Sequence, residues 1–307
     1  MFFRPAQRRK ARLRLALCGP SGSGKTHSAL LIAAGLEPDG KITVIDTERD
    51  SAALEAGKPG IPEFYHAPLP PPYTPERYRQ YMERAVMEKA DVVIIDSLSH
   101  AWAGTGGVLD MHSDISKAQK GNSWAAWREV TPEHNALIDA ILQAPCHVIC
   151  TLRTKTAWEV VEGADGRKRP QKIGLKPEQR EGLEYEFTLV LDLSLEGHIA
   201  TASKDRTSLF DGKFFVPGPE TGQDLKAWLE LGKDPDEIAR KPYEELKRQA
   251  EGIDDPAELD EWGRKKRAEF EILTPYYNAK LRAFCAERRR QLTEQENTGK
   301  GKREKAA

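Results

Sequence analysis

The chain has 307 residues, of which 31% are charged and 39% hydrophobic, and its formal net charge is −1 at pH 7. These values are typical of a globular protein with one large or two unequal domains, and they exclude nucleic-acid binding through an overall positive charge. No apolar run approaches the roughly 20 residues of a membrane-spanning helix. The four cysteines include no CxxC pair, so no zinc site is indicated. We expect a cytoplasmic protein without a membrane partner.

Short apolar runs alternate with helical patterns through the first half of the chain. The predicted strands are residues 12–18, 42–46, 92–96 and 147–151, and the predicted helices are residues 26–35, 75–89 and 132–142. Continuous apolar strands separated by helices predict a parallel sheet that is covered on both faces. The predicted fold class is therefore α/β, with a mostly parallel central sheet and helices on both faces.

The pattern changes after the fourth predicted strand. Residues 153–182 form a long polar stretch without a clear period, which predicts a functional or mobile loop. Antiparallel strands are predicted at residues 185–193, 198–203 and 210–216, and charged helices follow. Three regions result from these patterns: a core over residues 1–232, a helical C-terminal region over residues 233–295 and a disordered basic tail over residues 296–307.

A glycine-rich segment follows the first predicted strand. Residues 19–26, GPSGSGKT, fit the pattern GxxxxGK[ST], in which backbone N–H groups before a helix converge on phosphate oxygens. Lys25 would reach the β and γ phosphates of ATP, and the Thr26 hydroxyl would hold Mg²⁺. For His27, a structural role is the alternative to nucleotide contact. The predicted nucleotide-binding residues are Gly19, Pro20, Ser21, Gly22, Ser23, Gly24, Lys25, Thr26 and His27.

Two carboxylates follow predicted strands. Asp96 closes the strand VVIID and would complete a Mg²⁺ site with Thr26, whereas capping of a following helix is the alternative. Glu48 lies two residues beyond the strand ITVID, which we expect to lie beside the strand of the glycine-rich loop. There it could orient and deprotonate the attacking water. The alternative is that Glu48 is one exposed acid among many.

The order of these motifs resembles the RecA-type core of recombinases and DnaB-type hexameric helicases. GPSGSGKT is followed by IDTE, which ends at Glu48, by VVIIDS at residues 92–97 and by VICTLR at residues 148–153. The resemblance implies that Glu48 activates the hydrolytic water and that Thr151, where many relatives carry glutamine, senses the γ-phosphate. It also implies that Lys204 and Arg206 of the segment KDR reach into the ATP site of a neighbouring subunit, where they would stabilise developing charge. A solvated charged turn is the alternative.

More closely, residues 12–216 resemble a phage-encoded group of RecA-like, AAA-type P-loop ATPases that are associated with single-strand annealing and recombination. The segments that carry this resemblance are IDSLSHAWAGTGGVLD, WREVTP, KIGLKPEQREGLEYEF and KDRT. The resemblance implies ATP and Mg²⁺ as cofactors and self-association into a ring or filament. It also implies single-stranded DNA and a single-strand-binding protein as partners, in the cytoplasm of a bacterial host.

Two segments would contact DNA in such a protein, residues 100–122 and 154–182. Lysines and arginines that cluster in the second segment would bind phosphates without reading sequence, and a tryptophan among them could stack on a base. The alternative is a β-hairpin in which the tryptophan packs and the lysines are solvated. The predicted DNA contacts are Trp158, Arg167, Lys168, Arg169, Lys172 and Lys176.

The leading hypothesis is an ATPase of the RecA-like recombinase type, which binds single-stranded DNA and promotes annealing or strand exchange with DNA-stimulated turnover. One alternative is a DnaB-type translocating helicase. The other is a regulatory P-loop ATPase that does not act on DNA. Trp124 and Trp127, three residues apart on a helical pattern, are expected to pack in the core instead of binding a ligand.

Overall fold

The computed structural model describes residues 8–162, 168–233 and 235–304. These residues fall into two compact units: Arg12–Leu229, and a second unit that contains the residues before Arg12 and those from Glu230 onward. The first unit is an α/β domain built on one sheet, which confirms the predicted fold class, and the second is helical. Within the described ranges, no helix is both long and apolar enough to cross a membrane.

Eight strands of the described chain form the sheet of the first unit. In chain order they are β1 (Arg14–Gly19), β2 (Ile42–Asp46), β3 (Tyr65–Pro68), β4 (Val92–Asp96), β5 (His147–Glu162), β6 (Lys168–Pro177), β7 (Leu189–Leu193) and β8 (Ala200–Asp205). The spatial order is β3-β2-β4-β5-β1-β7-β8, and β6 pairs with β5 outside this path. The strands from β3 to β7 in this order are parallel, whereas β8 is antiparallel to β7. The carboxyl ends of the parallel strands therefore lie at one edge.

Helices pack on both faces of this sheet. The helices of this unit are α1 (Lys25–Leu36), α2 (Pro75–Met87), α3 (Ser99–Ala103), α4 (Val108–Ala118), α5 (Ser123–Gln143) and α6 (Pro219–Glu230), of which α4 packs against α5 and α3. Successive side chains of β1 point to opposite faces, as the pleat of a strand requires. Leu15 and Leu17 pack with α1 and α6, and Ala16 and Cys18 pack with α2 and α5. Because both faces are covered, the strand is continuously apolar from Leu15 to Cys18.

The second unit contains α7 (Pro235–Glu251), α8 (Pro256–Lys265), α9 (Arg267–Phe270) and α10 (Pro275–Glu304). The Asp255 side chain accepts a hydrogen bond from the backbone N–H of Glu258, and Pro256 occupies the first helical position, so this start follows the usual capping chemistry. Helix α10 continues to Glu304, where the sequence predicted a disordered tail from residue 296. Residues 305–307 lie outside the described residues.

Both segments predicted as DNA-binding loops contain regular structure. β5 continues past the sheet to Glu162, and β6 returns antiparallel to it, so most of residues 153–182 form a β-hairpin. The β-hairpin predicted as the alternative for this segment is therefore present. Residues 100–122 are largely helical, in α3 and α4. The strand predicted at residues 210–216 is reduced to one isolated bridge between Phe215 and Ala200.

A buried arginine ties β1 to the end of α5. The guanidinium of Arg14, which is 6% exposed, donates hydrogen bonds to the carbonyl oxygens of Leu13, Leu142, Ala144 and Cys146. Burial lowers the pKa of Arg14 below its usual value. Carbonyl groups at a helix C-terminus carry partial negative charge, so the end of α5 is a favourable place for a cation.

Arg14→Ala should lower the free energy of unfolding by about 3 kcal/mol, because four carbonyl groups lose a charged donor. Urea denaturation followed by circular dichroism measures this change. Arg12→Ala is the matched control: Arg12 is about half exposed, and it lies 3.9 Å from Glu37 and 3.1 Å from Nε2 of His147, contacts expected to contribute about 1 kcal/mol together. Equal losses in the two variants would contradict the role assigned to Arg14.

Candidate nucleotide site

A cavity of about 530 Å³ opens at the carboxyl edge of the sheet, in front of the loop between β1 and α1. Lys25 and Thr26 from α1, Glu48 from the segment after β2, Asp96 from β4 and Arg153 from β5 line it. Parallel strands bring residues that are distant in sequence to one edge, and such edges are the usual ligand sites of open α/β sheets.

The glycine-rich loop turns sharply before α1. Gly22 and Gly24 have φ angles of 81° and 84°, a region that residues with a Cβ rarely adopt. Because α1 begins at Lys25, the N–H groups of its first turn lack intrahelical partners and provide an anion site. Most predicted loop residues line the cavity: Ser21, Gly22, Gly24, Lys25, Thr26 and His27. The Ser23 side chain is instead fully buried beneath the loop.

The Lys25 ammonium group folds back onto the loop. It donates hydrogen bonds to the carbonyl oxygens of Gly19 and Pro20, at 2.9 and 2.8 Å. Burial lowers the pKa of Lys25, and the nearby carboxylates of Glu48 and Asp96 oppose that shift. These two carbonyl oxygens thus hold the Lys25 side chain over the turn. Phosphate oxygens of a nucleotide could replace them as acceptors of the lysine hydrogen bonds.

The Asp96 carboxylate is buried, with 1% of the residue exposed, and both of its oxygens accept hydrogen bonds from hydroxyl groups. Thr26 donates to one oxygen at 2.6 Å and Thr151 donates to the other at 2.5 Å. Burial raises the pKa of Asp96, while these two hydrogen bonds oppose the shift. Hard oxygen donors suit Mg²⁺, and a divalent cation would favour the charged carboxylate. The residues present therefore fit the predicted metal. The alternative, that Asp96 caps the following helix, is not found: the N-cap of α3 is Leu98, and no side chain caps this helix.

Thr151 is fully buried and lies behind Asp96, where its hydroxyl orients the carboxylate. It is not among the residues that line the cavity. A direct contact between Thr151 and a γ-phosphate therefore stays a prediction.

The prediction that β2, the strand before Glu48, lies beside β1 is wrong. Glu48 nevertheless lines the cavity. β2 does not lie beside β1, because β4 and β5 lie between them. The backbone N–H of Glu48 donates to the buried carboxylate of Asp46 at 2.6 Å, which turns the chain towards the cavity. The second oxygen of Asp46 accepts from the backbone N–H of Ala52 at 2.9 Å and lies 3.0 Å from Nε2 of His66. Glu48 is thus held in place by buried contacts.

Arg153 lines the cavity, whereas the sequence predicted no role for it at the nucleotide site and placed it only at the start of the polar stretch of residues 153–182. Its Nε donates to Oε1 of Glu48 at 2.8 Å. Its backbone N–H donates to the hydroxyl of Ser99 at 2.9 Å, and its carbonyl oxygen accepts from the N–H of Glu178 at 2.7 Å. Its position in the sequence could have indicated this role: in VICTLR, Arg153 follows Thr151 by two residues, so both side chains lie on the same side of the strand.

His27 pairs with an acid at the cavity wall. Its Nδ1 lies 2.8 Å from Oε2 of Glu55, a second cavity residue that the sequence interpretation did not identify. Burial tends to raise the pKa of Glu55, but hydrogen bonds from Lys58 and His27 outweigh burial and lower it. The pair gives the cavity one wall of fixed polar groups beside the first turn of α1.

Lys204 and Arg206 do not reach this cavity. β8 is antiparallel to β7, and Asp205 pairs with Leu189 at the start of β7. The carboxyl end of β8 therefore lies at the edge of the sheet opposite the cavity. Both cations donate to the carbonyl oxygen of Tyr185. Their position rules out a contact with the nucleotide site of their own chain, and action on a neighbouring subunit stays a prediction.

Most predicted DNA contacts belong to the hairpin of β5 and β6. Arg167 lies outside the described residues, and so do the side chains of Trp158, Lys168, Arg169 and Lys172. Lys176 is exposed, and its ammonium group lies 3.4 Å from a carboxylate oxygen of Glu181. The backbone pairing of β5 with β6 alone therefore places Trp158, Lys168, Arg169 and Lys172.

The expectation of a core position is wrong for Trp124, which is 72% exposed and lies under the guanidinium of Arg128. Ala126 and Val130 are the buried positions of this part of α5. Two residues along a helix correspond to a rotation of about 200°, so Trp124 faces away from the core. Trp127 is partly buried, and its ring centroid lies 5.9 Å from that of Trp102.

Comparison with known proteins yields one family. Residues 11–214, about two thirds of the chain, match the family model described as an AAA domain. No curated protein matches the sequence. The matched region contains every residue of the cavity described above.

Proposed function

The chain belongs to the AAA-domain family of nucleotide-dependent ATPases, and we propose that it binds Mg·ATP in the cavity at the carboxyl edge of its sheet and hydrolyses it there. The contact that carries this proposal is the 2.6 Å hydrogen bond between Thr26 and Asp96. It places a hydroxyl and a carboxylate together at the first turn of the helix that follows a glycine-bent loop. Glu48 lines the same cavity.

Each of these residues has a defined part in hydrolysis. Lys25 exchanges the carbonyl oxygens of Gly19 and Pro20 for β and γ phosphate oxygens. Thr26 and Asp96 would hold Mg²⁺, which would neutralise charge on the phosphates. Glu48 orients the attacking water and accepts its proton.

Lys25→Ala should abolish saturable nucleotide binding, because the loop loses the cation that faces the β and γ phosphates. Glu48→Gln should bind Mg·ATP about as tightly as the wild type but turn over at least about 100-fold more slowly, since an amide cannot accept the proton of water. Calorimetry measures binding and phosphate release measures turnover. Normal hydrolysis by Glu48→Gln would remove Glu48 from its assigned role.

We propose further that ATP turnover serves a RecA-like recombinase, which anneals or exchanges single-stranded DNA in phage recombination within a bacterial cytoplasm, together with a single-strand-binding protein. Three features support this. β5 runs from the cavity at Arg153 directly into the hairpin that the resemblance assigns to DNA. Lys176 is exposed at its base, and Trp124 offers an exposed ring just beyond the other assigned segment. An aromatic ring beside cationic groups suits single strands.

Single-stranded DNA should stimulate turnover and bind with strong salt dependence, because phosphate contacts release counterions. Gel shifts, ATPase rates and annealing of complementary strands measure this. Replacing Lys168, Arg169 and Lys172 by glutamine should weaken DNA binding and leave ATPase without DNA unchanged. The control is Lys89→Gln, in the turn between α2 and β4. Directional unwinding would point to a translocating helicase instead, and indifference to DNA would point to a regulatory ATPase.

We propose that the active form is a ring or filament in which Lys204 and Arg206 complete the nucleotide site of a neighbouring subunit. The support is their position: both cations lie at the sheet edge opposite their own cavity, and Arg206 is exposed. A head-to-tail contact, in which one edge of a subunit meets the other edge of the next, would bring each cavity two outside cations.

Arg206→Ala should reduce ATPase at least about 100-fold without weakening nucleotide binding, because the missing guanidinium acts on the transferring phosphoryl group. Mixing it with the equally inactive Glu48→Gln should restore activity to about a quarter of the wild type, since a quarter of the interfaces join an intact Glu48 to an intact Arg206. A mixture that stays inactive would contradict action between subunits.

A further inference from the structure

An ion pair closes one side of the nucleotide cavity. Nε of Arg153 lies 2.8 Å from Oε1 of Glu48, and their side chains are 43% and 25% exposed. The guanidinium thus occupies one oxygen of the carboxylate that is proposed to activate water. A carboxylate that is bonded to a guanidinium has fewer free lone pairs for a water molecule.

The side chain of Arg153 can move while its backbone stays in place. The backbone is fixed from both sides, by the hydroxyl of Ser99 on its N–H and by the N–H of Glu178 on its carbonyl oxygen. The guanidinium, by contrast, is bonded at Nε to Glu48 and borders open space in the cavity. Any change of partner therefore involves rotation of the side chain alone.

Thr151 and Arg153 lie two residues apart on β5 and face the same side of the strand. Thr151 is buried, and its hydroxyl is already bonded to Asp96. Arg153 is the member of this pair that lines the cavity. A guanidinium offers several N–H donors in a planar fork that suits phosphate oxygens.

We propose that Arg153 exchanges partners when nucleotide binds: it pairs with Glu48 in the empty site and with the γ-phosphate when ATP is present. The exchange frees the Glu48 carboxylate to face water only when a triphosphate fills the cavity. ADP, which lacks the γ-phosphate, leaves the ion pair closed. This inference rests on the proposed ATP site and assigns Arg153 the discrimination between the two nucleotides.

The experiment compares the dissociation constants of Mg·ADP and of a non-hydrolysable Mg·ATP analogue with a β–γ nitrogen bridge, both by calorimetry. The wild type should bind the analogue more tightly than ADP. Arg153→Ala should reduce that preference by about tenfold or more, the expected effect of losing one charged hydrogen bond, with little change in the affinity for ADP. Arg153→Lys should restore part of the preference because it keeps the positive charge.

Lys155→Ala is the matched control, because it removes a positive charge from an exposed position two residues further along β5 that does not line the cavity. It should keep the wild-type preference. An unchanged preference in Arg153→Ala, or an equal loss of affinity for both nucleotides, would overturn the exchange. A wild type that binds neither nucleotide would instead overturn the proposed function.

Discussion

The buried carboxylate of Asp96 is the constraint on which the arrangement of the site depends. It ends β4 between β2, which ends at the same level, and β5, which continues beyond it, so its charge is removed from water and must be satisfied by nearby groups. Thr26 at the start of α1 and Thr151 on β5 supply the two hydroxyls. These contacts fix α1 and two strands relative to one another, and they leave the carboxylate at the cavity wall, where a cation would compensate its desolvation.

A second layer of buried polar contacts holds the residues that would act on water. Asp46 accepts the backbone N–H groups of Glu48 and Ala52, and so sets the turn that carries Glu48 to the cavity. Ser99 and the N–H of Glu178 fix the backbone of Arg153. Cavity side chains thus differ in freedom: Asp96 is fixed by two hydrogen bonds, whereas Lys25 and Arg153 hold partners that phosphate oxygens can replace.

The nucleotide loop was readable from the sequence because its function depends on local backbone geometry. Glycine at positions 22 and 24 permits positive φ, and Lys25 and Thr26 follow at fixed spacing. The residues that line the cavity from other strands were harder to predict from the sequence. Glu48 was identified, but its strand was placed beside β1, and two strands separate them. The role of Arg153 at the cavity was missed, because Arg153 begins a polar stretch and only its spacing of two residues from Thr151 indicates the side of the strand that it faces.

The sequence by itself determined the alternation of strands and helices, the fold class and the turn that can hold phosphates, because each follows from periodicity or backbone chemistry within a few residues. The tertiary structure alone decided strand order, the pairing of Arg153 with Glu48, the position of Thr151 behind Asp96 and the distance of Lys204 and Arg206 from their own cavity. These features depend on which strands are neighbours. Strand neighbours are chosen by packing over the whole sheet, and short apolar runs are too alike to specify that choice.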